Sequence, residues 1–80
     1  MRFTWDDDKN TANQKKHGIS FEEAISIFDG TEEIEFDSEH STEDEERYLA
    51  FGRIENRGAV VVVFCEIVDD VIRIISARKG

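Results

Sequence analysis

The residues best suited to chemistry are charged side chains set within apolar runs in the second half of the chain. The runs RYLAFGRI, AVVVVFCEI and VIRIISAR predict three strands, which carry Arg47, Arg53, Glu66, Arg73 and Arg78. Charges inside apolar strands are costly unless they are paired or in contact with water. Guanidinium groups bind phosphate oxygens through a rigid fork, so arginines exposed together would suit an anionic ligand.

Alternation along the strands leaves two interpretations of these charges open. One alternation set contains Arg47, Arg53, Glu66 and Arg73. Either this set lines an open groove on a sheet face that no helix covers, or Glu66 forms a structural ion pair with Arg53 or Arg73. Arg78 falls in the other set, and it can share a site with Arg73 only if the strand end twists or bulges.

The remaining candidates for catalysis are one thiol and two imidazoles. Cys65 is the only cysteine and lies within AVVVVFCEI, which predicts a small buried hydrophobe. A nucleophilic role would need a base beside it, and His17 and His40 are both distant in the chain. The spacing of acids around His40 matches no specific metal site, so neither a metal nor another cofactor is predicted.

A polar helix follows a short first strand, RFTW. The acids of DDDK suit the first turn of a helix over Asp7–His17, and Gly18 suits its end after a basic last turn. Helical spacing places four polar residues along one stripe of this helix, namely Lys9, Asn13, Lys16 and His17. The stripe is either a solvated face or a functional surface.

A second helix and a further strand complete the predicted elements. SFEE at 20–23 is a capping box, and the helix after it, ended by Gly30, has a core stripe of Phe21, Ala24, Ile25 and Phe28. Ile34 and Phe36 alternate with acids in a predicted edge strand. The order β-α-α-β-β-β-β predicts an α+β fold with both helices on one face of a mostly antiparallel sheet of four to five strands.

Length and charge narrow the class of protein. Eighty residues allow one small domain, residues 1–80, with a thin core. No apolar run is long enough to cross a bilayer and the start lacks the features of a signal peptide, so a cytoplasmic protein is expected. The net charge of -9 argues against a nucleic-acid partner, but residues 29–46 hold ten acids and no Lys or Arg, which leaves the remainder nearly neutral. A basic pocket is therefore compatible with the composition.

Five segments in order resemble the BrnT toxins of type II toxin-antitoxin systems. They are F-x-W-D-x-x-K from Phe3, N-x-x-K-H-G-I-S-F-E-E-A from Asn13, D-E-E-R-Y from Asp44, V-V-F-x-E from Val62 and R-I-I-S-A-R from Arg73. The resemblance implies a RelE-like fold and a metal-independent endoribonuclease that inhibits translation. It also implies a BrnA-like ribbon-helix-helix antitoxin, which neutralises the toxin and binds DNA. The toxin itself is expected to contact DNA only through this antitoxin. Homodimers or heterotetramers with antitoxin, and action at the ribosome, are further expectations, and no membrane partner is expected.

The resemblance assigns provisional roles to the charged residues. Cleavage through the ribose 2′-hydroxyl needs a proton acceptor, charge stabilisation at the phosphate and protonation of the leaving oxygen. The expected phosphate ligands are Arg73 and Arg78, with Arg47 or Arg53 placing the substrate. The other candidates are Glu66 as base or as orienter of an arginine, His17 as acid or base, and Lys9 and Lys16 as substrate-binding residues.

Two departures from the family pattern keep another function open. Family members usually continue past S-A-R into a basic C-terminal helix, which is expected to be absent here, and the acidity is unusual for a ribonuclease toxin. These features fit a shortened form, a naturally short active toxin, or a catalytically silent relative that binds an antitoxin-like partner. A third alternative is that the acidic segment mimics nucleic-acid phosphates and occupies a DNA-binding protein.

Overall fold

The computed structural model describes residues 1–80 and confirms the α+β class. Two helices and a short 3-10 turn connect a first strand to four more strands. The elements are β1 (Arg2–Thr4), α1 (Asp7–His17), α2 (Phe21–Ala24), the 3-10 turn (Ile25–Ile27), β2 (Glu33–Phe36), β3 (Arg47–Ile54), β4 (Gly58–Val68) and β5 (Val71–Lys79). Neither helix is long and apolar enough to cross a membrane.

The strands form one mixed sheet in the order β1-β5-β4-β3-β2. β3, β4 and β5 are the antiparallel meander that the sequence predicts, and β2 adds an antiparallel edge. β1 pairs in parallel with the first residues of β5. Asn56 and Asp70 adopt positive φ values of 72° and 63° in the turns on either side of β4, a conformation that short polar side chains tolerate.

Caps define both ends of α1, which has the predicted bounds. The Asp6 carboxylate accepts hydrogen bonds from the backbone N–H groups of Asp8 and Lys9 at 2.8 and 3.3 Å. Gly18 ends the helix in a left-handed conformation, φ 72°, and its N–H donates to the carbonyl of Gln14. Because α1 has almost no apolar face, its attachment to the sheet depends on buried polar side chains.

The second helix is shorter than its apolar stripe predicts. The predicted capping box forms between Ser20 and Glu23, but the helix gives way after Ala24 to the 3-10 turn. The tighter turn buries Ile27, which the helical stripe does not include, against β3. A Cβ added to Gly52 would lie 2.7 Å from the Cβ of Ile27, so this contact requires a glycine in β3.

The core lies between the helices and one face of the sheet. The helical segments contribute Ile19, Phe21, Ala24 and Ile27, and the sheet contributes Ala50, Val60, Val62, Phe64, Ile72, Ile74 and Ala77. The opposite face of the sheet has no helix over it. This open face is where the sequence places its candidate groove.

Candidate functional site

The register of the sheet places two of the candidate arginines in one row on the open face. Arg47 lies opposite Cys65, and Cys65 lies opposite Arg73. Directly opposed residues of neighbouring strands point to the same side of a sheet. The next two rows are Leu49, Val63 and Ser76, then Phe51, Val61 and Arg78. Arg53 lies beyond them, opposite Ala59.

A β-bulge in β5 brings Arg78 to the same face as Arg73. Val63 pairs with Ser76 while the next residue, Phe64, pairs with Ile74, so Ile75 has no partner in β4. One extra residue reverses the alternation beyond it. Arg78 comes five positions after Arg73. Because this offset is odd, the two side chains would point to opposite sides without the bulge.

Glu66 does not lie on the open face, which corrects its grouping with the arginines. It follows Cys65 in a regular stretch of β4, so it points to the helix side, where it lies opposite Ile72. The alternative ion pair is not formed either, because the ion pairs of the structure do not include Glu66, Arg53 or Arg73. Alternation within one strand does not reveal its phase relative to the neighbouring strands, and this is why the grouping was wrong.

Cys65 lies among charges of both signs. Burial, followed by the negative charge of Glu45, raises the pKa of the Cys65 thiol, while the positive charges of Arg73, Arg47 and Lys9 oppose that shift. With 5% of its surface exposed and its pKa raised, Cys65 is the buried residue that the sequence predicts. The raised pKa keeps the thiol protonated at neutral pH, which fits a packing residue and not a nucleophile.

The charged candidates are distributed among three clefts. Arg73 and Glu66 line a cleft of about 400 Å³ whose other wall is the acidic loop, residues 43–46. Arg47 and Arg78 line a cleft of about 290 Å³ in the middle of the open face. Arg53 lies in a shallow depression beside Glu33.

The remaining sequence candidates lie outside these clefts. His17, Lys9 and Lys16 line none of them, and none makes a side-chain hydrogen bond or an ion pair. Lys9 is still close enough to Cys65 for its charge to act on the thiol. Asn13, from the same helical stripe, is buried and holds α1 to the sheet, so it is not part of a functional surface.

The arginines differ in how far they are neutralised. Nε of Arg47 lies 2.9 Å from Oε1 of Glu45 in an exposed ion pair. Arg53, Arg73 and Arg78 are exposed and form no ion pair. Exposed pairs are weak and easily exchanged for another anion. All four guanidinium groups can therefore take up a phosphate.

His40 is a functional candidate that the sequence pattern does not single out. It lines the central cleft with Arg47 and Arg78, and its Nδ1 lies 2.9 Å from Oδ2 of Asp37. The sequence signal that indicates it is the D-x-x-H spacing at the end of the edge strand. No three His, Cys, Asp or Glu side chains of the chain converge in a group that could hold a metal ion.

Comparison with known proteins identifies a family for the chain and a solved structure with its fold. The model of a family described as ribonuclease toxin, BrnT, of type II toxin-antitoxin system matches residues 5–80. The crystal structure of the Brucella abortus ribonuclease toxin BrnT has the same fold, with a TM-score of 0.78 and 23% identity over 100% of this chain and 96% of that chain. No curated protein matches the sequence.

Proposed function

Because the chain belongs to the BrnT family of ribonuclease toxins of type II toxin-antitoxin systems, we propose that it is a metal-independent endoribonuclease of RelE-like type. It acts on RNA in the cytoplasm and inhibits translation. A BrnA-like ribbon-helix-helix antitoxin neutralises it. The activity resides on the open face of the sheet, where the arginines are exposed.

The single observation that carries this proposal is the bulge at Ile75. It places Arg73 and Arg78 on the face that already carries Arg47. A set of guanidinium groups on one uncovered face suits a phosphodiester chain, because each group offers a planar fork of donors to phosphate oxygens. Donors placed where negative charge develops contribute about 3 to 4 kcal/mol each to the stabilisation of a transition state.

The clefts suggest a division of labour among the arginines. Arg47 and Arg78 line the central cleft, whereas Arg73 lines the cleft beside the acidic loop. In the proposal Arg47 and Arg78 hold the scissile phosphate in the cleft that they share, and Arg73 holds a neighbouring phosphate of the same strand.

The test is cleavage of a defined RNA by the purified chain in the presence of EDTA. The proposal expects internal cuts, products ending in a 2′,3′-cyclic phosphate, and complete protection when a deoxyribose replaces the ribose at the cut position. Cleavage that requires added metal, or that persists at the deoxyribose, would contradict it.

A second function is favoured by the acidic loop, residues 43–46, which forms one wall of the cleft that contains Arg73. Four carboxylates at this position repel RNA and attract a basic partner. On this alternative the chain is a catalytically silent BrnT relative that binds an antitoxin, with association that is fast and sensitive to salt. Harmless overexpression together with tight binding to a basic partner would select it over the nuclease.

A further inference from the structure

A histidine and an aspartate form a hydrogen-bonded pair in the central cleft of the open face. Nδ1 of His40 lies 2.9 Å from Oδ2 of Asp37, and the backbone N–H of His40 donates to Oδ1 of the same carboxylate at 3.3 Å. The Asp37 side chain is 11% exposed, whereas that of His40 is 63% exposed. The carboxylate is thus held in the protein while the imidazole reaches solvent.

The loop that carries this pair is fixed to the start of β3. The N–H of Asp37 donates to the carbonyl of Arg47 at 2.8 Å, and the Ser41 hydroxyl donates to the carbonyl of Asp37 at 2.6 Å. The N–H of Arg47 in turn donates to the Ser41 hydroxyl at 2.8 Å. These bonds hold the backbone of Asp37 against the backbone of Arg47, so the loop with the imidazole has a defined place relative to the start of β3.

The contact with Asp37 determines which nitrogen of His40 is free. A carboxylate accepts hydrogen bonds, so the hydrogen of the neutral imidazole lies on Nδ1 and its Nε2 is left as a proton acceptor. Nε2 has no partner within the protein. The arrangement of an oriented imidazole backed by a carboxylate is the one that general base catalysis uses on unrelated folds.

The cleft around His40 also contains groups that would bind the reacting phosphate. Its volume is about 290 Å³, near the lower end of the usual range of about 300 to 1,000 Å³ for ligand pockets. The charged groups that face the imidazole are Asp37 and Glu39 from its own loop, Arg47 from β3 and Arg78 from β5. Two cations and a free base therefore meet in one cleft.

We propose that His40 is the proton acceptor of the RNA-cleaving site and that Asp37 is its positioning residue; this inference rests on the proposed function. Nε2 of His40 takes the proton of the ribose 2′-hydroxyl while O2′ forms a bond to the adjacent phosphorus. The bond from phosphorus to O5′ breaks, its electron pair stays on O5′, and that oxygen takes a proton from solvent. His40 then returns its proton to solvent, and Arg47 and Arg78 hold the phosphate oxygens throughout.

The geometry favours His40 over the bases that the sequence argument selected. His17 lies at the end of α1 and lines no cleft, and Glu66 points to the helix side of the sheet. Neither shares a cavity with both Arg47 and Arg78. A general base must come within hydrogen-bonding distance of the proton that it abstracts, and His40 lies in the cleft where the two arginines would hold the phosphate.

The experiment measures the single-turnover rate of RNA cleavage against pH for the parent chain, His40→Gln and Asp37→Asn. Loss of a general base lowers the rate about 100-fold or more, and His40→Gln also removes the rise of rate with pH that the base produces. Asp37→Asn keeps the fold of the loop but presents an amide that can donate to Nδ1, so the rate falls while RNA affinity is retained.

A chemical rescue and a control variant complete the experiment. Added imidazole should restore cleavage to His40→Gly. Lys15→Gln, an exposed substitution outside the clefts, serves as control.

The outcomes separate this inference from the function on which it rests. A parent that cleaves RNA, with His40→Gln equally active and showing the same pH profile, overturns the role of His40 and leaves the nuclease intact. Loss of cleavage in His17→Gln with full activity in His40→Gln would overturn it in the same way. A parent that binds but never cleaves RNA refutes both.

Discussion

The side-chain amide of Asn13 pairs with the backbone of Ala77 as a neighbouring strand would. Its Oδ1 accepts from the N–H of Ala77 at 3.1 Å, and its Nδ2 donates to the carbonyl of Ala77 at 2.8 Å. Nδ2 also donates to the carbonyl of Ile19 at 2.9 Å. These three bonds satisfy backbone groups that α1 would otherwise bury unpaired, and they anchor the polar helix directly beside Arg78.

Replacing Asn13 by aspartate should therefore destabilise the protein strongly at neutral pH. The volume is conserved, but both donor bonds are lost and a carboxylate then faces two buried carbonyl oxygens. Unsatisfied buried groups cost about 1 to 3 kcal/mol each, so the midpoint of thermal unfolding should fall by roughly 10 °C or more. Circular dichroism melting curves measure the effect. Gln14→Glu is the same change at an exposed position of α1, where it removes one long bond to Asn10 at 3.4 Å, and it should shift the midpoint by a few degrees at most.

The contact between Gly52 and Ile27 predicts a second loss of stability. A Cβ at position 52 would lie 2.7 Å from the Cβ of fully buried Ile27, and neither atom is at the end of a flexible side chain. Gly52→Ala should force the 3-10 turn away from β3 and cost about 1 to 3 kcal/mol, a typical range for overpacking. Urea unfolding provides the measurement. An unchanged midpoint would show that the turn can move without cost.

Substitution of an arginine on the open face should impair RNA cleavage, whereas substitution of an arginine elsewhere should not. Arg47→Ala and Arg78→Ala, which remove the proposed ligands of the scissile phosphate, should each lower RNA cleavage about 100- to 1,000-fold and relieve growth arrest on expression without antitoxin, with thermal stability retained. Arg73→Ala should mainly weaken RNA binding. Arg57→Ala is the matched control, because Arg57 pairs with Glu23 through Nε and Oε2 at 2.6 Å, away from the open face. If Arg47→Ala and Arg78→Ala both stayed as active as the parent, the phosphate assignments would be wrong.

The acidic loop should weaken RNA binding by repulsion. Neutralising its four acids removes this repulsion and frees Arg47 from its ion pair. RNA binding should then tighten about tenfold at low salt. The substitutions are Glu43→Gln, Asp44→Asn, Glu45→Gln and Glu46→Gln. Fluorescence anisotropy at two salt concentrations tests this, because the gain should shrink as salt rises. The control carries the same loss of charge at four other exposed acids that form no side-chain hydrogen bond or ion pair, namely Asp7, Asp8, Glu55 and Asp69. An equal gain in that control would assign the effect to net charge alone.

Stability should fall in mild acid through Glu23. Hydrogen bonds from the backbone of Ser20 and from Arg57 lower the pKa of the Glu23 carboxyl below its ordinary 4.5. A depressed pKa in the folded state means that the contribution is fully present above pH 4.5 and is lost as the pH falls through the lower folded value. Urea midpoints at pH 6 and pH 3 should differ less in Glu23→Gln than in the parent. An identical pH dependence in both proteins would contradict this role.

Local signals in the sequence were sufficient for the elements that depend on neighbouring residues. Asp6 and Gly18 define α1 through capping and left-handed backbone geometry, and Ser20 with Glu23 starts α2 in the same way. These interactions span at most four residues, so the pattern of residue types contains them. The length of α2 was overestimated because the choice of a 3-10 turn at Ile25–Ile27 depends on a distant glycine in β3.

The sequence alone determined the α+β fold class and the family, which the comparison confirmed. It also showed that the strands carry more arginines than a sheet of this size can bury. Only the tertiary structure decided which of those arginines share a face. The face to which each strand residue points depends on the hydrogen-bond register between strands that are far apart in sequence. The extra residue at Ile75 reverses this facing for the end of β5. The same distant pairing brings His40 of the β2–β3 loop into the cleft of Arg78 on β5, a proximity that no local spacing encodes.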